Sequence, residues 1–294
     1  MLNFLASHPT DSFTLSDLAE RLDVNLASMH SLLNVLAESG YVVRHSRLRT
    51  YTLGPSVVAL GTAALECHPA IDRARDAARD LADRTGLETA VTAVAGDQII
   101  HLARSGEPTP RGASALVGQR IPLVPPLGTV FLAWGDARAW LGQARQRRNL
   151  ERVLQVVREK GYAVALDGPA RRSLEAALHD LADHPTDEAR RTAVMALLSS
   201  LAAGAYHPLA IQPRSRYDVS MISAPIFGED ASVVMALTLV GFSAGQRGHE
   251  ITAYGEMLRD AALVVTRRTR GRVPSPTAAG PGPVDGALFS SRRR

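Results

Sequence analysis

The chain has 294 residues, 46% of them apolar and 21% charged, with a formal net charge of +4. That length supports two domains with real cores, no apolar run reaches the roughly 20 residues of a membrane span, and the one cysteine, Cys67, excludes an intrachain disulfide and fits a reducing cytoplasm. The charge is uneven: residues 267–294 hold seven arginines and one acid, whereas residues 1–60 hold four arginines against five acids.

Residues 1–7 give less than two helical turns before His8-Pro9, with no signal-peptide features. Leu15, Leu18, Ala19 and Leu22 recur at i, i+3, i+4 and i+7, one face of a helix that Thr14 caps with Asp17 three residues on. Asp23-Val24-Asn25 breaks that pattern. Asn25 caps a second helix with Met29, Leu32, Leu33 and Leu36 inward, and Gly40 stops it. Tyr41–Val43 and Thr50–Leu53 read as two short strands joined by a tip that carries Arg44, Arg47 and Arg49. Two helices followed by a basic hairpin make a winged helix-turn-helix, whose second helix enters the DNA major groove.

A linker helix from Pro55 to residue 66 follows, then an amphipathic helix over 70–85 with Ile71, Ala74, Ala78 and Leu81 inward. Strands are expected at Glu88–Val94, Gln98–Ala103 and near Ser114–Val117, and helices at 127–135 and 150–160. Between 168 and 215, Leu174, Ala177, Leu178 and Leu181 mark one helix, and Ala193, Val194, Leu197, Leu198 and Leu201 another. Strands near 217–226 and 233–241 and a helix over 246–268 complete this part. Residues 271–294, rich in Pro, Gly, Ser and Arg, read as a disordered tail.

Several of these segments carry a resemblance. Leu15-Ser16-Asp17-Leu18-Ala19, then His30, Leu32, Leu33, Leu36, Gly40 and Tyr41, then Tyr51, Leu53 and Gly54 resemble the DNA-binding domain of the IclR family of bacterial transcription regulators. Val117–Leu123, Lys160–Val164, Ser223–Phe227 and Val234–Gly241 are similar to motifs of that family's second domain. The likeness runs nearly to residue 265. It implies an α+β chain. Residues 1–54 would be the winged helix-turn-helix and 55–68 the linker. Residues 69–270 would be a GAF-like effector-binding domain with a mixed or antiparallel sheet and flanking helices. The family usually has a short turn where this chain has 168–215, so that stretch is expected to be an inserted helical hairpin: a lid, a dimer arm or neutral decoration.

The resemblance also implies site residues. For double-stranded DNA with a palindromic operator these are Thr14, Ala27, Ser28, His30, Ser31, Asn34, Arg44, Arg47 and Arg49. For a small-molecule effector they are Leu123, Pro126, Leu127, Gly128, Ala165, Val219, Met221, Thr238 and Val240. The apolar character of the second set points to a largely apolar effector, with Thr238 orienting it and His101 or Arg104 meeting an acid group. The plain alternatives are a solvated hairpin for the wing arginines and core residues for Met221 and Val240. No catalytic constellation, metal-ligand spacing or cofactor motif is present, so an enzyme is not expected. The expected protein is a cytoplasmic homodimer or tetramer whose operator binding an effector controls, with no membrane partner. The alternative is an effector-sensing or protein-interaction module with weak operator binding, suggested by the acidic balance of residues 1–60.

Overall fold

The computed structural model describes residues 1–108, 116–124, 127–135, 144–200 and 206–274. The N-terminal unit contains helices α1 (Leu2–Ala6), α2 (Leu15–Arg21) and α3 (Leu26–Glu38) with strands β1 (Phe13–Thr14), β2 (Val42–Arg44) and β3 (Thr50–Leu53). Phe4, Leu5, Phe13, Leu18, Met29, Leu33, Val42 and Tyr51 form its core. The strands run in the order β1-β3-β2. Strand β1 is too short to show a period in sequence; it is defined by pairing Phe13 with Tyr51.

Both helix starts are built by side chains. Thr14 Oγ1 accepts from the Asp17 amide at 3.2 Å while Asp17 Oδ2 accepts from the Thr14 amide at 2.8 Å, a complete capping box. Asn25 Oδ1 accepts from the Ser28 amide at 2.9 Å. Between them, Asp23 takes a φ of +50°, which turns the chain sharply into α3. Met29 and Leu33 are fully buried, but Leu32, expected inward, is 42% exposed. It lies at the edge of the stripe that Met29, Leu33 and Leu36 define.

Helix α4 (Ser56–Cys67) leads to the second unit and buries none of its residues. That unit is built on a six-stranded sheet, ordered β6-β5-β4-β10-β9-β7, in which every described pairing is antiparallel. The strands are β4 (Glu88–Ala95), β5 (Gln98–Ser105), β6 (Arg120–Pro122), β7 (Ala163–Leu166), β9 (Val219–Phe227) and β10 (Val233–Val240). Strands β8 (Arg216–Tyr217) and β11 (Gln246–Arg247) form a separate pair. The strand expected near Ser114–Val117 falls at β6 instead. Residues 109–115 lie outside the described ones, and Val117-Gly118 form a turn with Gly118 at φ +87°.

Strand periodicity gives the sheet two unlike faces. On one, Val91, Ala93, Ile222, Ala224, Ile226, Met235, Leu237 and Leu239 pack against Ile71, Ala74, Ala78 and Leu81 of α5 (Pro69–Thr85). They also pack against Ile251, Leu258, Ala262 and Val265 of α10 (Gly248–Arg268). Helix α10 comes so close to the Tyr162 ring that a Cβ on Gly255 would lie 2.3 Å from it, so only glycine fits.

Two helix pairs share the other face. Helices α6 (Thr129–Trp134) and α7 (Ala144–Lys160) cover one part through Phe131, Leu132, Trp134, Val153, Leu154 and Val157. Helices α8 (Pro169–Asp183) and α9 (Glu188–Ser200), within the 168–215 stretch, cover another through Leu174, Val194 and Leu198, which pack with Leu127. At the C-terminus, residues 271 and 272 are pinned, with the Gly271 amide on Thr266 O at 2.8 Å and the Arg272 amide on Gly228 O at 2.9 Å. The rest of the expected tail, from residue 275, lies outside the described residues.

Candidate functional site

The nucleic-acid candidate residues form two exposed groups. Ala27, Ser28, His30, Ser31 and Asn34 line the outer side of α3, away from Met29 and Leu33. Asn34 Nδ2 lies 3.4 Å from His30 Nδ1, and the Ser31 hydroxyl donates to Ala27 O at 3.0 Å. The Ser31 oxygen keeps acceptor capacity toward a donor on a base edge. Arg44, Arg47 and Arg49 are exposed on the wing. The Arg44 guanidinium sits over the Tyr51 ring at 5.9 Å, and the wing tip is closed by His45, whose amide donates to Thr50 O and whose carbonyl accepts from the Arg49 amide, both at 2.8 Å. Thr14 is set apart, at the start of α2, with its oxygen committed to the cap. The acids Asp11, Asp17, Glu20 and Asp23 flank or belong to α2 rather than the wing, so the positive charge is local.

The second site is a cavity of about 230 Å³ between the sheet and the helices α6 and α8. Leu127, Gly128, Ala165, Met221, Thr238 and Val240 line it, joined by Glu88, Ala90 and Thr92 of β4 and Ile99 and His101 of β5. Helix α8 supplies Arg171, Leu174, Glu175, Leu178 and His179, and the segment before β8 supplies Tyr206 and His207.

Two sequence candidates stand elsewhere and one is undescribed. Leu123 is buried beneath Gly128, among the α6 core residues. Val219 faces the α5 and α10 layer. The register of β7 with β9 steps from Ala165↔Met221 to Leu166↔Val219, so a bulge at Ser220 interrupts the alternation that would otherwise carry Met221's face to Val219. Pro126 lies outside the described residues. The α8 face was missed although its sequence signal is plain: Arg171, Leu174, Glu175, Leu178 and His179 share one helical stripe, but its mixed polarity did not single it out. Tyr206 and His207 had no signal in the sequence.

The cavity wall is mostly apolar, and its polar groups are largely committed. Thr238 Oγ1 and Ser223 Oγ are 2.9 Å apart. His207 spans from Thr129 Oγ1 at 2.7 Å to Val164 O at 2.8 Å. Arg171 is held by Asp167, with Nε to Oδ1 at 3.2 Å, and by Glu175. Arg104 Nε lies 3.4 Å from Glu88 Oε1, so it is not free to meet a ligand acid. Burial raises the Glu88 carboxyl above its ordinary range against the opposing pull of Arg104, and its second oxygen is buried without a partner. Burial also pushes the Tyr206 phenol up to about 12. Both ring nitrogens of His101 are buried without a partner, and burial lowers its imidazole from 6.5 to about 4.

Residues 1–46 match the IclR helix-turn-helix domain. A crystal structure of an IclR transcriptional regulator from Alicyclobacillus acidocaldarius superposes with a TM-score of 0.64 at 22% identity, covering 91% of this chain and 95% of that one. The chain has an IclR helix-turn-helix and the IclR-regulator fold. A crystal structure of Pseudomonas aeruginosa HmgR superposes at a TM-score of 0.58 and 18% identity, over 91% of this chain and 95% of that one. The HTH-type transcriptional regulator XynR of Escherichia coli is 22% identical over 86% of this chain and 88% of its own. The Pca regulon regulatory protein of Pseudomonas putida is 29% identical over 51% of this chain and 56% of its own.

The His101 environment has a measurable consequence. Below its unfolded value of 6.5 the unfolded chain binds a proton that the folded chain refuses down to about 4. Folding stability should therefore fall as the pH is lowered from 6.5 to about 4, by up to about 1.4 kcal/mol per unit from this residue. Urea unfolding at a series of pH values should show that part of the slope lost in His101→Gln. An unchanged slope would mean that the ring protonates freely in the folded protein.

Proposed function

We propose that this chain is an operator-binding transcription regulator whose DNA affinity is set by a small, mostly apolar and uncharged effector in the second-domain cavity. The observation that carries the reading is the joining, in one chain, of an IclR helix-turn-helix to a sheet whose one face is sealed and whose other face encloses a cavity with unpartnered buried polar atoms. DNA contact would come from the outer side of α3 for base edges and from Arg44, Arg47 and Arg49 for phosphates. Helix α4 carries Val57, Leu60 and Ala64 at i, i+3 and i+7, with Leu60 53% exposed, an apolar face that supports pairing with a second copy, as a palindromic site requires.

The effector class follows from the wall. A cavity of this size exceeds the roughly 150 Å³ that accepts benzene, and apolar burial contributes about 25 cal/mol per Å². Among the described lining residues, Arg171 is the one arginine, and two carboxylates already grip it. A ligand carboxylate would face Glu88 and Glu175 without a free guanidinium. A neutral imidazole at His101 offers one donor and one acceptor, which suits a hydroxyl.

Two outcomes test this reading. The full chain should bind a palindromic fragment from its own upstream region as two chains per site. Arg47→Ala and Arg49→Ala should each weaken binding to all sequences and flatten the salt slope by about one unit per lost phosphate contact. Absence of any shifted fragment at low salt, with the dimer intact, would favour a sensing module without operator binding. In thermal melting, 4-ethylphenol should stabilise the protein more than 4-ethylbenzoate or pyruvate does. A larger shift from either acid would overturn the effector class.

A further inference from the structure

The five cavity residues of α8 follow the spacing i, i+3, i+4, i+7, i+8, so they form one face of one helix. Asp183 continues that face one turn beyond His179 and ends the helix. There α8 meets the winged domain. Nε2 of His8 lies 2.9 Å from Asp183 Oδ1, Arg21 Nη1 donates to Asp183 O at 3.2 Å, and Thr186 Oγ1 donates to Arg21 O at 3.4 Å. Burial opposes ionisation of Asp183, but the hydrogen bond and charge of His8, with the charges of His179 and Arg21, hold its carboxyl below the usual range.

The receiving side is closely packed. The His8 ring packs 4.5 Å from the Phe4 ring and 5.5 Å from that of Phe13, and its Nδ1 sits 2.8 Å from Phe4 O. The Arg21 guanidinium lies 5.4 Å from the centre of the same Phe13 ring. Phe4 and Phe13 belong to the core that holds Met29 and Leu33 of α3. A continuous set of contacts therefore runs from the cavity wall, along a helix about 22 Å long, through one carboxylate, into the core beneath the DNA-contacting helix. Close-packed interiors of this kind pass on displacement rather than absorbing it.

We infer that α8 is the element that transmits the state of the cavity to the winged domain, with Asp183, His8 and Arg21 as the joint. The inference rests on the cavity being the effector site. A ligand packed against Leu174 and Leu178 resets α8, and the joint shifts α1, α2 and the core they share with α3. This gives the 168–215 stretch a role as a coupling arm rather than a decoration. If the contact merely stacked the two units, the winged domain would be blind to the cavity.

Amide hydrogen exchange on the full-length protein tests this, read over residues 2–21 with two independent perturbations of the cavity. One is 4-ethylphenol, with its binding followed by melting; the other is Leu178→Ala, which needs no ligand. In the otherwise unchanged chain, each should alter exchange over residues 2–21 by about fivefold or more. With Asp183→Ala added, each should leave that region unchanged, while the melting response to the probe persists. Asp183 is partly exposed, so the variant is expected to fold. Asp183→Asn, which keeps a carbonyl oxygen for His8, should restore part of the response. Exchange over 2–21 that ignores both perturbations, or answers them equally with Asp183→Ala present, overturns the inference. A probe that causes no melting shift defeats the proposed ligand class alone, and the Leu178→Ala arm then decides the coupling.

Discussion

The antiparallel sheet of the second unit can be sealed on one face only, and the rest of the structure depends on that. Helices α5 and α10 lie against the face of Val91, Ile222, Leu237 and Leu239 and close it with mostly apolar side chains, burying Thr89 and Thr266 among them. The opposite face carries Glu88, Thr92, His101, Ser223 and Thr238 among its smaller apolar residues, so no continuous helical layer can seal it without stranding polar groups. Two separate helix pairs share it and leave the cavity between them. The same polar residues that forbid a closed core there are those that can recognise a ligand.

That division explains why the cavity walls differ in kind. The sheet wall is anchored by pairing on both sides of β4, β9 and β10, so its side chains are held in place before any ligand arrives. The α8 wall is tied down at its ends, by Asp167 holding Arg171 at one and by His8 and Arg21 at the other. An element held at two ends and facing a void in the middle is the one that a ligand can move at least cost. The winged domain, whose small core is organised by Phe4, Phe13, Met29 and Leu33, is attached to that element and moves with it.

Much of this could be read in the sequence where a period was long enough to show. The i, i+3, i+4 stripes of α2 and α5 and the capping pairs at Thr14 and Asn25 were legible, because local spacing and local hydrogen bonding fix them. The resemblance supplied the cavity-lining positions Leu127, Gly128, Ala165, Met221, Thr238 and Val240. Val219 was misplaced because a bulge reverses the strand's alternation, and a bulge leaves no mark in composition. Leu123 was misplaced because it supports Gly128 from beneath rather than facing the void. The His8–Asp183 joint joins residues 175 positions apart, and neither residue is unusual in its own neighbourhood. The pairing of Arg104 with Glu88 and of Thr238 with Ser223 is set by strand register, which local sequence does not show.

The central claim is that cavity occupancy and operator binding share one free energy. Linkage makes it measurable in both directions, because a ligand that changes DNA affinity by some factor must have its own affinity changed by the same factor. The decisive measurement is a pair of titrations at one fixed salt concentration: operator fragment into protein with and without saturating 4-ethylphenol, and 4-ethylphenol into protein with and without saturating operator. The account predicts two equal factors of about fivefold or more. Tight binding of both partners with factors indistinguishable from one would contradict it.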